Sequence, residues 1–155
     1  MSESVHRYPV RCSWSGSTGG GYDGYERAHE ASVPGVAGPV ALSADAAFRG
    51  DPTRLNPEVL LVLAAASCQL LSFLAVAARA RLDVVAYRDD AEGSMPEDDR
   101  PMRLTRIVLR PRITVHGDVA PGRLAHLVEV AHRECYIANT LRTELVIEPT
   151  FETVP

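Results

Sequence analysis

The chain has 155 residues and no lysine; all sixteen basic side chains are arginine. They are scattered and the net charge is −4, so the basic stripe that nucleic-acid binding needs is missing. Cysteine is scarce. Cys12, Cys68 and Cys135 are too few and too far apart for a disulfide-stapled fold. No CxxC or HExxH supports a zinc site, and no GxSxG supports a serine hydrolase. The run Gly19-Gly20-Gly21 lacks the lysine and the strand–helix setting of a phosphate loop. The first residues, MSESVHRYPVRC, have no basic region followed by an apolar run, so they do not read as a signal peptide. Cytoplasmic location is the expectation.

One absence is local. Val59 to Ala78 is twenty residues without a charge, long enough for a membrane span. The stretch is rich in small residues, carries Ser67, Cys68, Gln69 and Ser72, and has no aromatic belt. It reads instead as a central helix buried on nearly all sides, with no membrane span. Asn56-Pro57-Glu58 opens it: a cap residue, a proline suited to the first turn, and an acid suited to the helix dipole. The helix is expected to reach about Ala80.

With 46% hydrophobic residues and no linker or repeat, residues 1–155 read as one domain. Weak alternation predicts strands over Tyr8–Ser15, Tyr25–Ser32 and Pro39–Ser43, with a Gly/Ser loop between the first two. After the helix come a strand over Leu82–Tyr87, an acidic loop or hairpin tip over Arg88–Met102 and one long strand over Leu104–His116. A second helix follows from Pro121 to about Glu134, then a helical turn over Cys135–Leu141 and a last strand over Glu144–Ile147. This order suggests an α+β domain.

Cys68 lies inside the apolar helix, where a free cysteine often simply packs. Cys135 sits in His132-Arg133-Glu134-Cys135 at a helix end, a place that suits a mobile thiol or an incidental one. His132 and Cys135 have a spacing compatible with two metal ligands, but no further ligand motif accompanies them. Cys12 reads as structural filler. If a thiol is catalytic it must ionise, and a guanidinium nearby favours that. Arg27 and Arg49 are the candidates, and Glu58 is suited to hold such an arginine in a bidentate pair. Each arginine is equally consistent with a solvated charge, and Glu58 with a plain dipole partner.

The segment from Asn56-Pro57-Glu58 through Ala66-Ser67-Cys68, with ten residues from glutamate to cysteine, resembles the NPE-to-cysteine helix of the OsmC/Ohr family. Ala131-His132-Arg133-Glu134-Cys135-Tyr136 resembles the segment holding that family's second cysteine, 67 residues after the first. Tyr25-Glu26-Arg27-Ala28-His29, Phe48-Arg49-Gly50-Asp51 and Leu109-Arg110-Pro111 resemble one branch of it. The resemblance implies an OsmC-like α+β fold of antiparallel strands around the helix, in an intertwined homodimer with active sites at the subunit interface. It implies thiol-dependent reduction of a small-molecule organic hydroperoxide, with Cys68 attacking and Cys135 resolving. An arginine (Arg27 or Arg49) and Glu58 would complete the site. An external dithiol, lipoyl or similar, would reset the disulfide, and no metal or organic cofactor is required. The sequence departs from the family at Arg54-Leu55, Val59 and Gln69. These changes spare the thiols but bear on substrate preference. The alternative is an OsmC-fold small-ligand binder or redox sensor with little turnover.

Overall fold

The computed structural model describes residues 4–155. They gather into two compact units, one ending at Pro57 and the other comprising Glu58–Pro155. The first is a three-stranded antiparallel sheet of β1 (Arg11–Ser13), β2 (His29–Ser32) and β3 (Val40–Leu42). These strands are shorter than the alternation suggested. Before the long helix lies a 3-10 turn over Ala46–Phe48, where Asp45 accepts the amide of Ala47 at 2.8 Å. Arg49 closes that turn at φ 64°, in the left-handed region, and Gly50 then passes hard against Ala44. A Cβ at Gly50 would stand 1.7 Å from the Ala44 carbonyl oxygen, so only glycine fits.

The second unit begins with α1 (Pro57–Arg79), an unbroken helix of 23 residues. It continues through β4 (Val84–Asp89), β5 (Glu92–Ser94), β6 (Arg106–Leu109), β7 (Pro111–His116), α2 (Pro121–Glu134), α3 (Tyr136–Thr140), β8 (Glu144–Ile147) and β9 (Thr150–Val154). One sheet has the order β4-β7-β9 and the other β5-β6-β8. β4/β7 and β5/β6 pair antiparallel, whereas β7/β9 and β6/β8 pair parallel, so the sheets are mixed rather than antiparallel throughout.

The single strand expected over Leu104–His116 is two strands in two sheets. The ladder breaks at Arg110, whose amide donates to the Asp89 carboxylate at 2.7 Å, and Pro111 has no N–H to give. The same crossing occurs between β8 and β9 at Glu148-Pro149, and between β4 and β5 beside Asp89. Arg110 ties the three crossings together, pairing with Glu148 at 3.1 Å and Glu92 at 3.5 Å. β9 and β5 were not legible from the periodicity because each is short or follows a proline.

α1 serves two cores. Its later half contributes Phe73, Val76 and Ala77 to a cluster with Ile113 and Val115 of β7 and Leu124, Leu127, Val128 and Ala131 of α2. Its earlier half contributes Ala65 to a cluster with Ile107 and Leu109 of β6, flanked by Ile137 and Leu145. Burying each large apolar side chain stabilises by about 1.5–3 kcal/mol. The expectation of burial on nearly all sides is corrected for the single chain. Val59, Leu63, Ser67, Leu71, Leu74, Ala75 and Ala78 form an exposed stripe, with Leu71 62% exposed. Helix length and apolarity meet the requirement for a span, but the opposite face carries both cores.

Gly50→Ala is expected to lower the melting temperature measurably, with a cost of at least about 1–3 kcal/mol from overpacking. Thermal unfolding followed by circular dichroism checks this; an unchanged midpoint would contradict the close approach to Ala44.

Candidate active site

The sequence of α1 places small residues, Ala64 to Ser67, one turn ahead of Cys68, so its backbone can pack closely. Cys68 falls between the buried face of the helix (Ala65, Gln69, Phe73) and the exposed stripe, and is half-buried. It lines an open groove of about 510 Å³ whose walls include Leu71, Ser72 and Ala75 of α1 and Tyr136 and Asn139 of α3. At the far rim Arg79 forms an ion pair with Glu134, the last residue of α2. Of these lining residues, Leu71 and Ala75 were not singled out from the sequence. The helical spacing of Leu71, Ser72, Ala75 and Arg79 from Cys68 was the available signal.

Cys135 occupies the break between α2 and α3, with its amide bonded to the His132 carbonyl at 3.2 Å. It is fully buried. Its thiol and that of Cys68 are close enough for charge on one to act on the other. Burial pushes the Cys135 thiol above its ordinary value. The amides of Ala138 and Ile137 pull the other way, without closing a regular cap hydrogen bond, while Cys68 pushes it further up. A charge on one sulfur opposes a charge on the other, so the pair favours at most one thiolate. Cys12 stands exposed on β1 in the first unit, which removes its role as core filler.

Glu58 lies in the first turn of α1, where its charge suits the helix dipole, and it has no ion pair among the described residues. Ten residues along a helix amount to about 15 Å, so a straight α1 does not bring Glu58 to its own Cys68. Arg27 is caged in the first unit. Its guanidinium lies 3.8 Å from the Tyr25 ring centroid and 4.7 Å from that of Tyr22, and it donates to both tyrosine carbonyls. Arg49 pairs with Asp23 at 2.9 Å across exposed surface. Gln69, next to Cys68, is buried with its amide 3.5 Å from the Val128 carbonyl. His132 keeps a buried ring nitrogen without a partner among the described residues. No cluster of three or more His, Cys, Asp or Glu able to hold a metal occurs among the described residues.

The family model for OsmC-like protein matches residues 50–150. The chain belongs to the OsmC-like protein family. Glu58, Cys68 and Cys135 fall inside the matched region, whereas Arg27 and Arg49 fall outside it. No curated protein matches the sequence. Among solved structures, an OsmC-like protein of unknown function from Vibrio cholerae O1 biovar eltor is 28% identical. That match covers 94% of this chain and 100% of the other, with a TM-score of 0.83. An organic hydroperoxide resistance protein OsmC from Legionella pneumophila matches at TM-score 0.71 and 16% identity, over 97% of this chain and 99% of its own. The organic hydroperoxide resistance protein OhrB of Bacillus subtilis matches at TM-score 0.64 and 16% identity, over 96% and 100%. At those identities the last two share the fold. The OsmC-like α+β architecture expected from the sequence is the one observed.

Native alkylation with iodoacetamide, followed by peptide mapping, is expected to modify Cys12 first, Cys68 more slowly and Cys135 last. Labelling of Cys135 ahead of Cys68 would contradict the burial described.

Proposed function

We propose that this OsmC-like protein reduces organic hydroperoxides with Cys68 and Cys135. The observation that carries the reading is the pair itself: a half-buried thiol on an open, largely apolar groove, with a second, buried thiol close enough for the two to act on each other's ionisation. Family membership and the hydroperoxide-resistance proteins that share the fold support it.

The Cys68 thiolate attacks one peroxide oxygen. The O–O bond breaks, an S–O bond forms, and the leaving alkoxide takes a proton to become an alcohol. Cys68 is then a sulfenic acid. Cys135 attacks that sulfur, an S–S bond forms, and the hydroxyl leaves as water with the proton of Cys135. An external dithiol restores both thiols by exchange and is itself oxidised to a disulfide. Leu71 and Ala75 suit an alkyl hydroperoxide better than hydrogen peroxide. An arginine holds the peroxide and favours the Cys68 thiolate, Arg27 and Arg49 being the candidates. Arg27→Gln and Arg49→Gln separate them: the assisting residue is the one whose loss cuts peroxide reactivity without moving the melting temperature.

We also propose a homodimer. The exposed apolar stripe of α1 needs covering, and Glu58 sits too far along the helix to serve its own Cys68. A two-fold meeting of antiparallel α1 helices covers the stripe and brings Glu58 of one chain toward Cys68 of the other. Glu58→Ala and Cys68→Ser chains, each nearly inactive alone, are expected to regain activity on mixing. Mixed dimers seen by native mass spectrometry with no regained activity would refute the shared site.

The raised pKa of Cys135 gives the resolving step a pH dependence. The thiolate fraction, and with it the rate of disulfide closure, is expected to rise about tenfold per pH unit above neutrality until the raised pKa is passed. Stopped-flow measurement of closure across pH checks the slope; a flat profile would contradict it. The raised pKa of Cys135, which lowers its thiolate fraction near neutral pH, favours a second reading, a redox sensor or ligand binder with little turnover. Steady-state consumption of cumene hydroperoxide with lipoyl dithiol decides between them, and loss of that turnover in Cys68→Ser, with the fold intact, assigns the chemistry to Cys68.

A further inference from the structure

When Cys68 breaks the O–O bond of an alkyl hydroperoxide, the electron pair of that bond stays on the leaving oxygen. An alkoxide is a strong base, so it leaves faster where a positioned group hydrogen-bonds or protonates it in the transition state. The proton of Cys135 is not available for this, since it goes to the water released in the following step. A donor for the leaving oxygen has to stand beside Cys68, on the groove that the thiol lines.

Ser72 lies one helical turn beyond Cys68 on α1, is half-buried, and lines the same groove. Helical side chains lean toward the N-terminus, so that of Ser72 leans over the turn carrying Cys68. A serine inside a helix often returns its hydroxyl to the carbonyl four residues back. Thr140 does so to Tyr136 at 2.7 Å, whereas Ser72 makes no side-chain hydrogen bond among the described residues. The other donors are committed or turned away. Asn139 donates to the Arg133 carbonyl at 3.0 Å, Arg79 is paired with Glu134 at the far rim, and Gln69 turns inward to Val128. Tyr136 stands 81% exposed.

We propose that Ser72 is a catalytic residue whose hydroxyl donates to the leaving oxygen of the hydroperoxide that Cys68 attacks. The spacing fits. Before reaction the attacked oxygen stands about 3–3.5 Å from the sulfur, and the leaving oxygen lies one O–O bond beyond it. Side chains four apart on a helix have Cβ atoms about 5–6 Å apart, so a hydroxyl on the next turn meets that oxygen at about 2.7–2.8 Å. As the S–O bond forms and the O–O bond breaks, Ser72 gives its proton to the alkoxide and takes one from groove water. Through solvent, that proton replaces the one the Cys68 thiol shed on ionising, so thiol plus hydroperoxide yields sulfenic acid plus alcohol. An arginine and Ser72 then divide the work: the guanidinium favours the thiolate, and the hydroxyl serves the leaving group. The inference rests on Cys68 being the thiol that meets the peroxide.

The test compares two oxidants that differ in their leaving groups. Cumene hydroperoxide releases an alkoxide, which needs a proton; peroxybenzoic acid releases benzoate, a stable anion that does not. Oxidation of Cys68 in the full chain is timed by rapid quench and mass spectrometry for wild type, Ser72→Ala and Ser72→Thr. Ser72→Ala is expected to slow the cumene hydroperoxide reaction about a hundredfold and to leave the peroxybenzoic acid reaction as it is in wild type. Its rate of Cys68 alkylation by iodoacetamide is expected to match wild type too, because the thiolate itself is untouched. Ser72→Thr keeps the hydroxyl and is expected to restore the cumene hydroperoxide rate. A packing role, or a role in favouring the thiolate, slows both oxidants alike. Equal slowing with the two oxidants, an unslowed cumene hydroperoxide reaction, or a Ser72→Thr as slow as Ser72→Ala overturns the proposal. Wild-type Cys68 that reacts with neither oxidant overturns the enzymatic reading and this inference with it, and that failure shows before any variant is made.

Discussion

One apolar helix has to satisfy two cores at once. α1 runs unbroken from Pro57 to Arg79, and its two halves bury against different partners: β7 and α2 at one end, β6 and the region of α3 at the other. The seam between those cores falls where Ala65 gives way to Phe73, and Cys68 lies in it. The second helical segment obeys the same division. Ala131 of α2 belongs to one core and Ile137 of α3 flanks the other, so the chain must break between them, and Cys135 is the residue at the break. The two thiols meet because both lie at the junction of the same two cores.

That junction also explains their unequal character. Cys68 opens onto a groove, while Cys135 has no exposed surface. Desolvation disfavours a buried thiolate, and the shared neighbourhood disfavours two charges together. A thiol meant to meet a peroxide from outside belongs in the first position, and a thiol meant only for its partner sulfur belongs in the second. The stripe of α1 beside the groove leaves Val59, Leu63, Leu71 and Leu74 exposed, which is the physical ground for proposing a second chain there.

Much of this was legible in the sequence because local signals and tertiary needs agreed. Asn56-Pro57-Glu58 marked the start of α1, and Pro121 and Glu134 bounded α2 as expected. The ordered set of Glu58, Cys68 and Cys135 carried the family. What failed depended on contacts distant in sequence. The strand over Leu104–His116 looked continuous because alternation does not reveal that Arg110 turns its amide to Asp89. The polar neighbours His132, Arg133 and Glu134 gave no sign that Cys135 itself is buried. The Arg79–Glu134 ion pair went unnoticed because it joins residues far apart along the chain.

The central claim is that Cys68 and Cys135 work as one redox pair. Anaerobic titration of reduced protein with cumene hydroperoxide, with thiols and alcohol counted together and the products mapped by mass spectrometry, tests it most directly. The account predicts that one equivalent of hydroperoxide yields one equivalent of alcohol, consumes two thiols per chain, and leaves a Cys68–Cys135 disulfide with Cys12 free. A main product linked through Cys12, or a Cys68 sulfenic acid that persists beside a free Cys135, would contradict it.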